Sequence, residues 1–187
     1  MSDNTRGAGV SAGVVGVAGN ADNAPRVGVA ASRFDTPEQS PGFMLWRVTL
    51  AWQRAIRAAL APHELTHGQF VLLASLWWVE QHQRRPVTQR QLAAHAGVDP
   101  MMTSQLIRKL CERGLVARAG DPHDARVHLL QLTDAGRALT AVAVATVEQA
   151  DQEYFAPVNE AGLASGMLAG LQLLAAAAAD HGDSDGG

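Results

Sequence analysis

A mainly α-helical fold built around a winged helix-turn-helix is predicted by three observations in the sequence. Apolar residues recur at helical spacing through most of the chain beyond residue 42. Two short helices are predicted on either side of a tight break at Gly97. Two runs typical of short strands follow, with the turn-rich segment 120–124 between them. A helix, a tight turn, a second helix and a hairpin form a winged helix-turn-helix, and the remaining helices are available for dimerisation.

The first two helices are predicted ahead of this central motif. Residues 43–60 place apolar side chains on one face and arginines on another, which is typical of an amphipathic helix. Pro62 is expected to end this helix. Thr66 is suited to cap a second helix, which is expected to run to about His82.

The central helices are predicted from their terminal residues. Thr88 can cap a short helix over 89–96, which is expected to end at Gly97 because glycine readily takes the left-handed conformation. The next helix is expected to open with Pro100, which is favoured in a first helical turn, and to run to about Arg113. Two strands are then predicted, over 115–118 and 127–132.

The C-terminal part is predicted to form two more helices, from 135 to about 155 and from about 160 to 179. The first of them is apolar on several faces between Ala138 and Val147, so it must be covered on more than one side. Apolar helices in excess at both ends of the chain indicate that the first and last helices form a two-fold dimer interface.

Composition argues for a cytoplasmic protein without disulfides or a membrane span. Cys111 is the only cysteine, so neither an internal disulfide nor a cysteine-type zinc site is expected. The apolar run near the N-terminus lacks leucine and phenylalanine, which argues against a secretory signal. Residues 161–179 carry no charge, but alanine and glycine dominate them, and neither drives membrane insertion strongly.

Charge is distributed unevenly along the chain. The formal net charge is −3. Between Arg84 and His128, however, eight basic residues stand against four acidic ones, so this segment carries +4 and the remainder carries −7. Because phosphate contacts depend on the local density of Lys and Arg, the central segment is expected to bind nucleic acid.

The second helix of a helix-turn-helix enters the major groove and presents its exposed N-terminal residues to base edges. Gln105 can pair with adenine, Arg108 can pair with guanine or a phosphate, and the methionines offer apolar contact to thymine methyl groups. The outward residues of this helix are Met101, Met102, Ser104, Gln105 and Arg108. Phosphate contacts are expected from Thr88, Gln89 and Lys109. The alternative is an ordinary helical hairpin with a solvated basic face.

Several segments resemble one family of regulators. The stretches VTQRQLA at 87–93, GVDP at 97–100 and the residues 106–116 are similar to the DNA-binding core of the multiple-antibiotic-resistance regulator (MarR) family. The resemblance continues in DPHDAR at 121–126 and LQLTDAG at 130–136, and it extends from about residue 43 to 179. It implies a homodimer that binds double-stranded DNA at a pseudo-palindromic operator, with no cofactor. It also implies a repressor released by a small aromatic or phenolic effector.

The resemblance also assigns roles in the wing between the two strands. It implies that Arg126 enters the adjacent minor groove and that Asp124 orients it by a salt bridge. This sequence departs from the family where further wing arginines are common, because His123 and Ala125 stand there. Wing affinity is therefore expected to be weaker or partly pH-dependent. The remaining candidates for DNA contact in this region are Arg118 and His123.

These inferences divide the chain into one domain and two tails. Residues 1–41 are rich in Gly, Ala, Ser and Asn without a stable apolar period, so they are predicted to be a disordered tail. The domain is expected over 42–180 and a second disordered tail over 181–187. Within the domain, the DNA-binding part is expected at about 65–133 and the dimerisation helices at about 43–60 and 134–179.

The segment His63-Glu64-Leu65-Thr66-His67 matches the zinc-metalloprotease pattern, whose histidines must lie one turn apart on a continuous helix. Pro62 just before it and Thr66 as a helix cap argue that the segment straddles a helix start. We therefore expect a polar loop near the effector cleft, neither an enzyme nor a metal site. A regulatory zinc site that uses one of these histidines is the alternative.

The effector site is the least defined part of the prediction. Its candidate residues are Trp46, His63, His67 and Trp77, and Trp52 and Trp78 could also line it, although tryptophans at helical spacing more often belong to the core. Cys111 could be a redox sensor in the recognition helix, but a small half-buried residue is the simpler interpretation. The alternatives left open are a metal- or redox-responsive regulator of the same fold and a helical interaction module that does not bind DNA.

Overall fold

The computed structural model describes residues 32–83, 86–120 and 128–182 of the chain. Its α-helices are α1 (Pro41–Leu60), α2 (His67–Gln83), α3 (Gln89–Ala96), α4 (Pro100–Glu112), α5 (Asp134–Glu160) and α6 (Ala164–Gly182). Its strands are β1 (Val87–Thr88), β2 (Val116–Gly120) and β3 (His128–Leu132). Short 3₁₀ turns occupy Pro37–Gln39 and Ala61–His63. The mainly α fold with a winged helix-turn-helix is confirmed.

The three strands form one antiparallel sheet in the order β1-β3-β2. Val116 pairs with Leu132 and Gly120 with His128, so β2 and β3 form the predicted hairpin. The sequence interpretation missed β1, which pairs Val87 with Leu130. A two-residue strand carries no periodicity of its own, and it exists here only because β3 offers it a partner.

The helix-turn-helix is fixed by its predicted caps. The Thr88 hydroxyl accepts a hydrogen bond from the Gln91 amide at 3.2 Å, and the Gln91 side chain accepts the Thr88 amide at 2.9 Å, which completes a capping box. Gly97 ends α3 with φ of 63°. The carboxylate of Asp99 accepts the amides of Met101 and Met102 at 2.9 and 3.0 Å and so fixes the first turn of α4.

A single apolar core is formed by the helices α1, α2, α3, α4 and α5 together with the sheet. α2 lies in the middle and is buried on several sides, so it supplies more fully buried side chains than any neighbouring helix described here. The largest fully buried apolar residues are Ile56, Leu60, Leu72, Leu73, Leu76, Val79, Leu92, Ile107, Leu110, Leu130 and Leu132. The core therefore supports the inner faces of α3 and α4 and leaves their outer faces to solvent.

The first turn of α5 docks onto the junction of α4 and β2. The Thr133 hydroxyl donates to the Gly114 carbonyl at 2.7 Å and accepts the Gly136 amide at 2.9 Å. Glu80 of α2 accepts the Leu132 amide at 2.7 Å and pairs with Arg137 of α5. These bonds join α2, β3 and α5, so the wing strands and the long helix share one rigid attachment.

The boundary between the last two helices differs from the prediction. α5 continues through Pro157 to Glu160, whereas the sequence interpretation ended it at about Phe155 and began α6 at about Glu160. The chain reverses at Gly162, whose φ is 71°, and the Leu163 amide bonds the Val158 carbonyl at 3.0 Å. Pro157 removes only one backbone hydrogen bond near the helix end, so α5 continues through it. Gly162 adopts the left-handed conformation, which ends the helix and turns the chain.

The C-terminal helices are bent sharply against each other. Within the described residues, no single helix combines the length and apolarity of a membrane span, and the α5–α6 pair reaches them only jointly across a bend of 113°.

Candidate nucleic-acid interface and interhelical crevice

The outer face of α4 carries the residues that the sequence predicted to face outward. Thr103, Ile107 and Leu110 are buried on the opposite face, and Leu106 beside them is half-buried. Met101 is 73% and Met102 55% exposed at the first turn. The other exposed members of this face are Ser104, Gln105, Arg108 and Lys109. The structure therefore brings the predicted base-contacting residues onto one surface of one helix.

α4 is held in place at both its start and its middle. The Thr103 hydroxyl donates to the Asp99 carbonyl at 2.9 Å, beside the carboxylate cap. Gly68 of α2 packs against Leu106, and an added Cβ there would lie 3.1 Å from the Leu106 Cδ1 atom. The sequence interpretation did not assign Asp99, although an aspartate directly before a proline at a helix start is a recognisable cap signal.

The predicted phosphate contacts at the start of α3 have protein partners of their own. The Thr88 hydroxyl is engaged in the capping box. The Gln89 side-chain oxygen accepts from Arg118 of β2 at 3.4 Å, which links α3 to the wing strands. The predicted wing residues His123, Asp124 and Arg126 lie outside the described residues, between the paired ends of β2 and β3 at Gly120 and His128.

A second polar cluster, the histidine crevice, lies where the α1–α2 linker (residues 61–66) meets α5. The His63 Nε2 atom lies 3.0 Å from the Thr146 hydroxyl of α5. The His67 ring meets Trp52 of α1 edge to face, with centroids 5.0 Å apart. Trp52 in turn donates its indole N–H to Asp151 of α5 at 2.7 Å. The crevice thus joins α1, the linker, α2 and α5.

The predicted effector residues come together only in part. Both histidines line the crevice, but Trp46 is 61% exposed on α1 and Trp77 packs against the core. Of the four candidate tryptophans, Trp52 makes the aromatic contact with His67. Helical spacing alone does not distinguish these tryptophans, because their surroundings depend on which face of α1 packs on α5.

The backbone of the linker excludes the metalloprotease geometry. His63 ends a 3₁₀ turn, Glu64 has φ of 54° in the left-handed region, and His67 begins α2. The two histidines therefore do not lie one turn apart on a continuous helix, which that zinc site requires. In the described part of the chain, no cluster of three or more His, Cys, Asp or Glu side chains is suited to a metal ion.

The environment of His67 predicts that folding stability depends on pH. Burial lowers the pKa of His67, Asp151 acts to raise it, and Arg57 lowers it further. In the unfolded chain, His67 titrates at the ordinary histidine pKa of about 6.5. Just below that pH, His67 therefore binds more protons in the unfolded chain than in the folded chain. Stability contributed by neutral His67 is thus complete above this pH and is lost as the pH falls towards the folded pKa.

We therefore expect the wild-type melting temperature to fall between about pH 7.5 and pH 5.5 more steeply than that of His67→Asn. Thermal unfolding followed by circular dichroism measures the difference. His128→Asn is the matched control for loss of an imidazole at an exposed position of β3. Equal slopes for wild type and His67→Asn would show that the crevice does not disfavour the charged ring.

Cys111 lies on α4 in a half-buried position. Burial raises the pKa of the Cys111 thiol, Arg118 acts to lower it, and Glu112 raises it. Because the thiolate is the reactive form, this environment favours the small half-buried residue over a redox sensor.

An apolar groove of about 690 Å³ runs between α1, the end of α5 and α6. Side chains that line it include Leu45, Val48, Trp52, Phe155, Met167 and Leu171. Several of these, together with Leu174, which also lines the groove, and Trp46, which neighbours Leu45 in sequence, are large apolar groups exposed to solvent in the single chain. The predicted excess of apolar surface on the first and last helices is therefore present in the structure.

Comparison with known proteins identifies transcriptional regulators as relatives of this chain. The MarR family model matches residues 65–128. YdcH of Bacillus subtilis, an HTH-type transcriptional regulator, is 41% identical over 143 residues, covering 76% of this chain and 95% of YdcH. The structure of CouR from Rhodococcus jostii bound to p-coumaroyl-CoA is 31% identical, with a TM-score of 0.63 over 76% of this chain and 96% of CouR. The repressor CouR bound to a 23-mer DNA duplex matches with 31% identity and a TM-score of 0.60, over 72% and 94% of the two chains.

Proposed function

This chain belongs to the MarR family of transcriptional regulators, and from that premise we propose that it is a homodimeric repressor of a pseudo-palindromic operator. The observation that carries the proposal is the outer face of α4, where exposed polar and apolar side chains project from a helix whose inner face is fixed in the core. Its relative CouR is a repressor that binds duplex DNA. The proposed repressor acts in the cytoplasm, and binding of double-stranded DNA accounts for its proposed role without a catalytic step.

In this proposal α4 enters the major groove. Gln105 pairs with adenine, Arg108 pairs with guanine or a phosphate, and Met101 and Met102 contact thymine methyl groups beside Ser104. Phosphates are bound by Gln89, Lys109 and Arg118, which fix the register without reading sequence, while the Thr88 hydroxyl caps α3 beside them. The wing residues Arg126, Asp124 and His123 act at the adjacent minor groove, as the family resemblance implies.

The apolar groove is covered by the same surface of a second copy. Large apolar groups exposed on both α1 and α6 support this, because a soluble monomer rarely leaves such a continuous surface open. Two-fold symmetry then presents two α4 helices to one face of the duplex, with half-site centres about 10 bp apart.

We expect Leu171→Asp, in the groove, to convert the dimer to a monomer and to weaken operator binding at least about tenfold, because a buried carboxylate without a partner opposes association. Light scattering after size exclusion measures the mass. Val142→Asp is the control, since Val142 is 55% exposed on α5 outside the groove lining. If the Leu171→Asp protein remained a dimer, this groove would not be part of the dimer interface.

The histidine crevice is the proposed effector site. His63, His67 and Trp52 offer hydrogen-bonding groups beside an aromatic ring, which suits a small aromatic or phenolic ligand. The relative CouR binds an aromatic thioester, p-coumaroyl-CoA. A ligand releases DNA only to the extent that it binds the DNA-incompetent conformation more tightly than the competent one.

Selection of bound duplexes from a random library at two salt concentrations tests the proposed function. A two-fold symmetric site with steeply salt-dependent affinity is the expected result. Salt-sensitive binding without a common motif would indicate a nonspecific DNA-associated protein. No binding to any duplex would contradict the proposal and favour an interaction module.

A further inference from the structure

The C-terminal end of α4 is bonded to the linker that borders the histidine crevice. Arg113 is the C-cap residue of α4. Its Nη1 atom donates to the Glu64 carbonyl at 2.7 Å, and its Nη2 atom donates to the His63 carbonyl at 3.4 Å. A planar guanidinium can span two successive carbonyls in this way, whereas a lysine ammonium cannot hold both in the same geometry.

One of these two linker residues, His63, is also held from the other side by α5. The Thr146 hydroxyl donates to the Val142 carbonyl at 3.0 Å, so its proton is already committed. With that proton directed to Val142, the His63 tautomer protonated at Nε2 donates to the Thr146 oxygen across their 3.0 Å contact. The side chain of His63 thus bonds α5 while its carbonyl bonds α4.

A second contact lies one helical turn further along the chain. Gly68, in the first turn of α2, packs closely against Leu106 in the middle of α4. The linker and the start of α2 therefore contact α4 at two separate points, one polar at its end and one apolar at its middle. These two contacts would transmit a shift of the linker to α4, because packed elements tend to move as units and not to deform continuously.

We propose that Arg113 is the positioning residue that couples the linker to the DNA-reading helix, so that breaking the bond between His63 and Thr146 changes the orientation of α4. This inference concerns the regulation of the proposed function and rests on it. A ligand that takes over the Nε2 proton of His63 would release the linker from α5. The carbonyls of His63 and Glu64 would then shift, and Arg113, which is bonded to both, would move with them together with the C-terminal end of α4.

A double-mutant cycle tests the coupling without any ligand. Affinity for the selected duplex is measured by fluorescence anisotropy for wild type, Thr146→Val, Arg113→Met and the double variant. Thr146→Val removes the acceptor for His63 but lies on α5, away from the outer face of α4. We expect it to change affinity about fivefold in the wild-type background and by less than about twofold when Arg113 is absent. Equal changes in the two backgrounds would overturn the proposal.

Two controls separate coupling from a lost phosphate contact. The salt dependence of binding should keep its slope in Arg113→Met, because a positioning residue releases no counterions. Arg54→Met, which removes an exposed arginine of α1, should leave DNA affinity unchanged, and Thr146→Val should have the same effect on affinity with or without it. A reduced slope in Arg113→Met would assign the residue to DNA contact instead. If Arg113→Met does not fold, Arg113→Lys replaces it in the cycle, because it retains the positive charge but cannot hold both carbonyls in the same geometry.

A measurement without DNA keeps this inference separate from the proposed function. Thr146→Val is expected to speed hydrogen exchange of the last-turn amides of α4 in the presence of Arg113 and to leave them unchanged in Arg113→Met. Failure of wild type to bind any duplex, together with this exchange pattern, would reject the repressor and retain the coupling. Unchanged exchange in both backgrounds would reject the coupling itself.

Discussion

Gly136→Ala is expected to destabilise the folded protein by more than about 3 kcal/mol. Gly136 is buried in the first turn of α5, directly against the backbone of Leu115. An added Cβ would lie 2.9 Å from the carbonyl carbon of Leu115 and closer still to its oxygen. Backbone atoms cannot move aside as a flexible side chain can. The Leu115 carbonyl also accepts the Thr133 amide at 3.1 Å, so a shift there would break the cap of α5.

Urea unfolding followed by circular dichroism measures this loss. Gly120→Ala is the matched control, because Gly120 has an ordinary backbone conformation and an added Cβ there meets nothing within 4 Å. We expect the control to unfold within about 0.5 kcal/mol of wild type. A Gly136→Ala protein as stable as its control would show that α5 can move away from β2 without loss of packing.

Gln105→Ala is expected to relax base preference at one operator position, at a cost of about 1–3 kcal/mol. Gln105 is exposed on the outer face of α4, while Ile107 and Leu110 keep the helix in the core. The variant should therefore fold normally and lose discrimination rather than overall affinity. Repeating the duplex selection with the variant measures the change position by position.

Lys109→Ala provides the contrast on the same helix. Loss of a phosphate contact should weaken binding uniformly across sequences and reduce the salt slope by about one. If Gln105→Ala instead weakened binding to all duplexes equally, Gln105 would be a phosphate contact and the base-reading role would pass to other residues of α4.

Local signals account for much of the predicted architecture. Thr88, Gly97 and Pro100 each act on the backbone within a few residues, so their roles are legible from the sequence and are present in the structure. The predicted end of α5 at about residue 155 was wrong, because α5 continues through Pro157, and the energetic cost of a proline in a helix depends on what the rest of the helix gains by continuing. The exposure of the α4 face was predictable for the same reason as its buried stripe, since both follow from helical periodicity.

The sequence by itself determined the order of the helices and of the two hairpin strands, the helix ends at Thr88 and Gly97 and the outward face of α4, because these depend on backbone preferences and on a period of 3.6 residues. Only the tertiary structure decided which distant groups meet. Trp52 bonds Asp151 across 99 positions of sequence, and Arg113 bonds the carbonyls of His63 and Glu64 across about 50. No local preference encodes such contacts. They arise when α1, α5 and α4 pack around α2, and the relative position of the packed helices selects which side chains face each other.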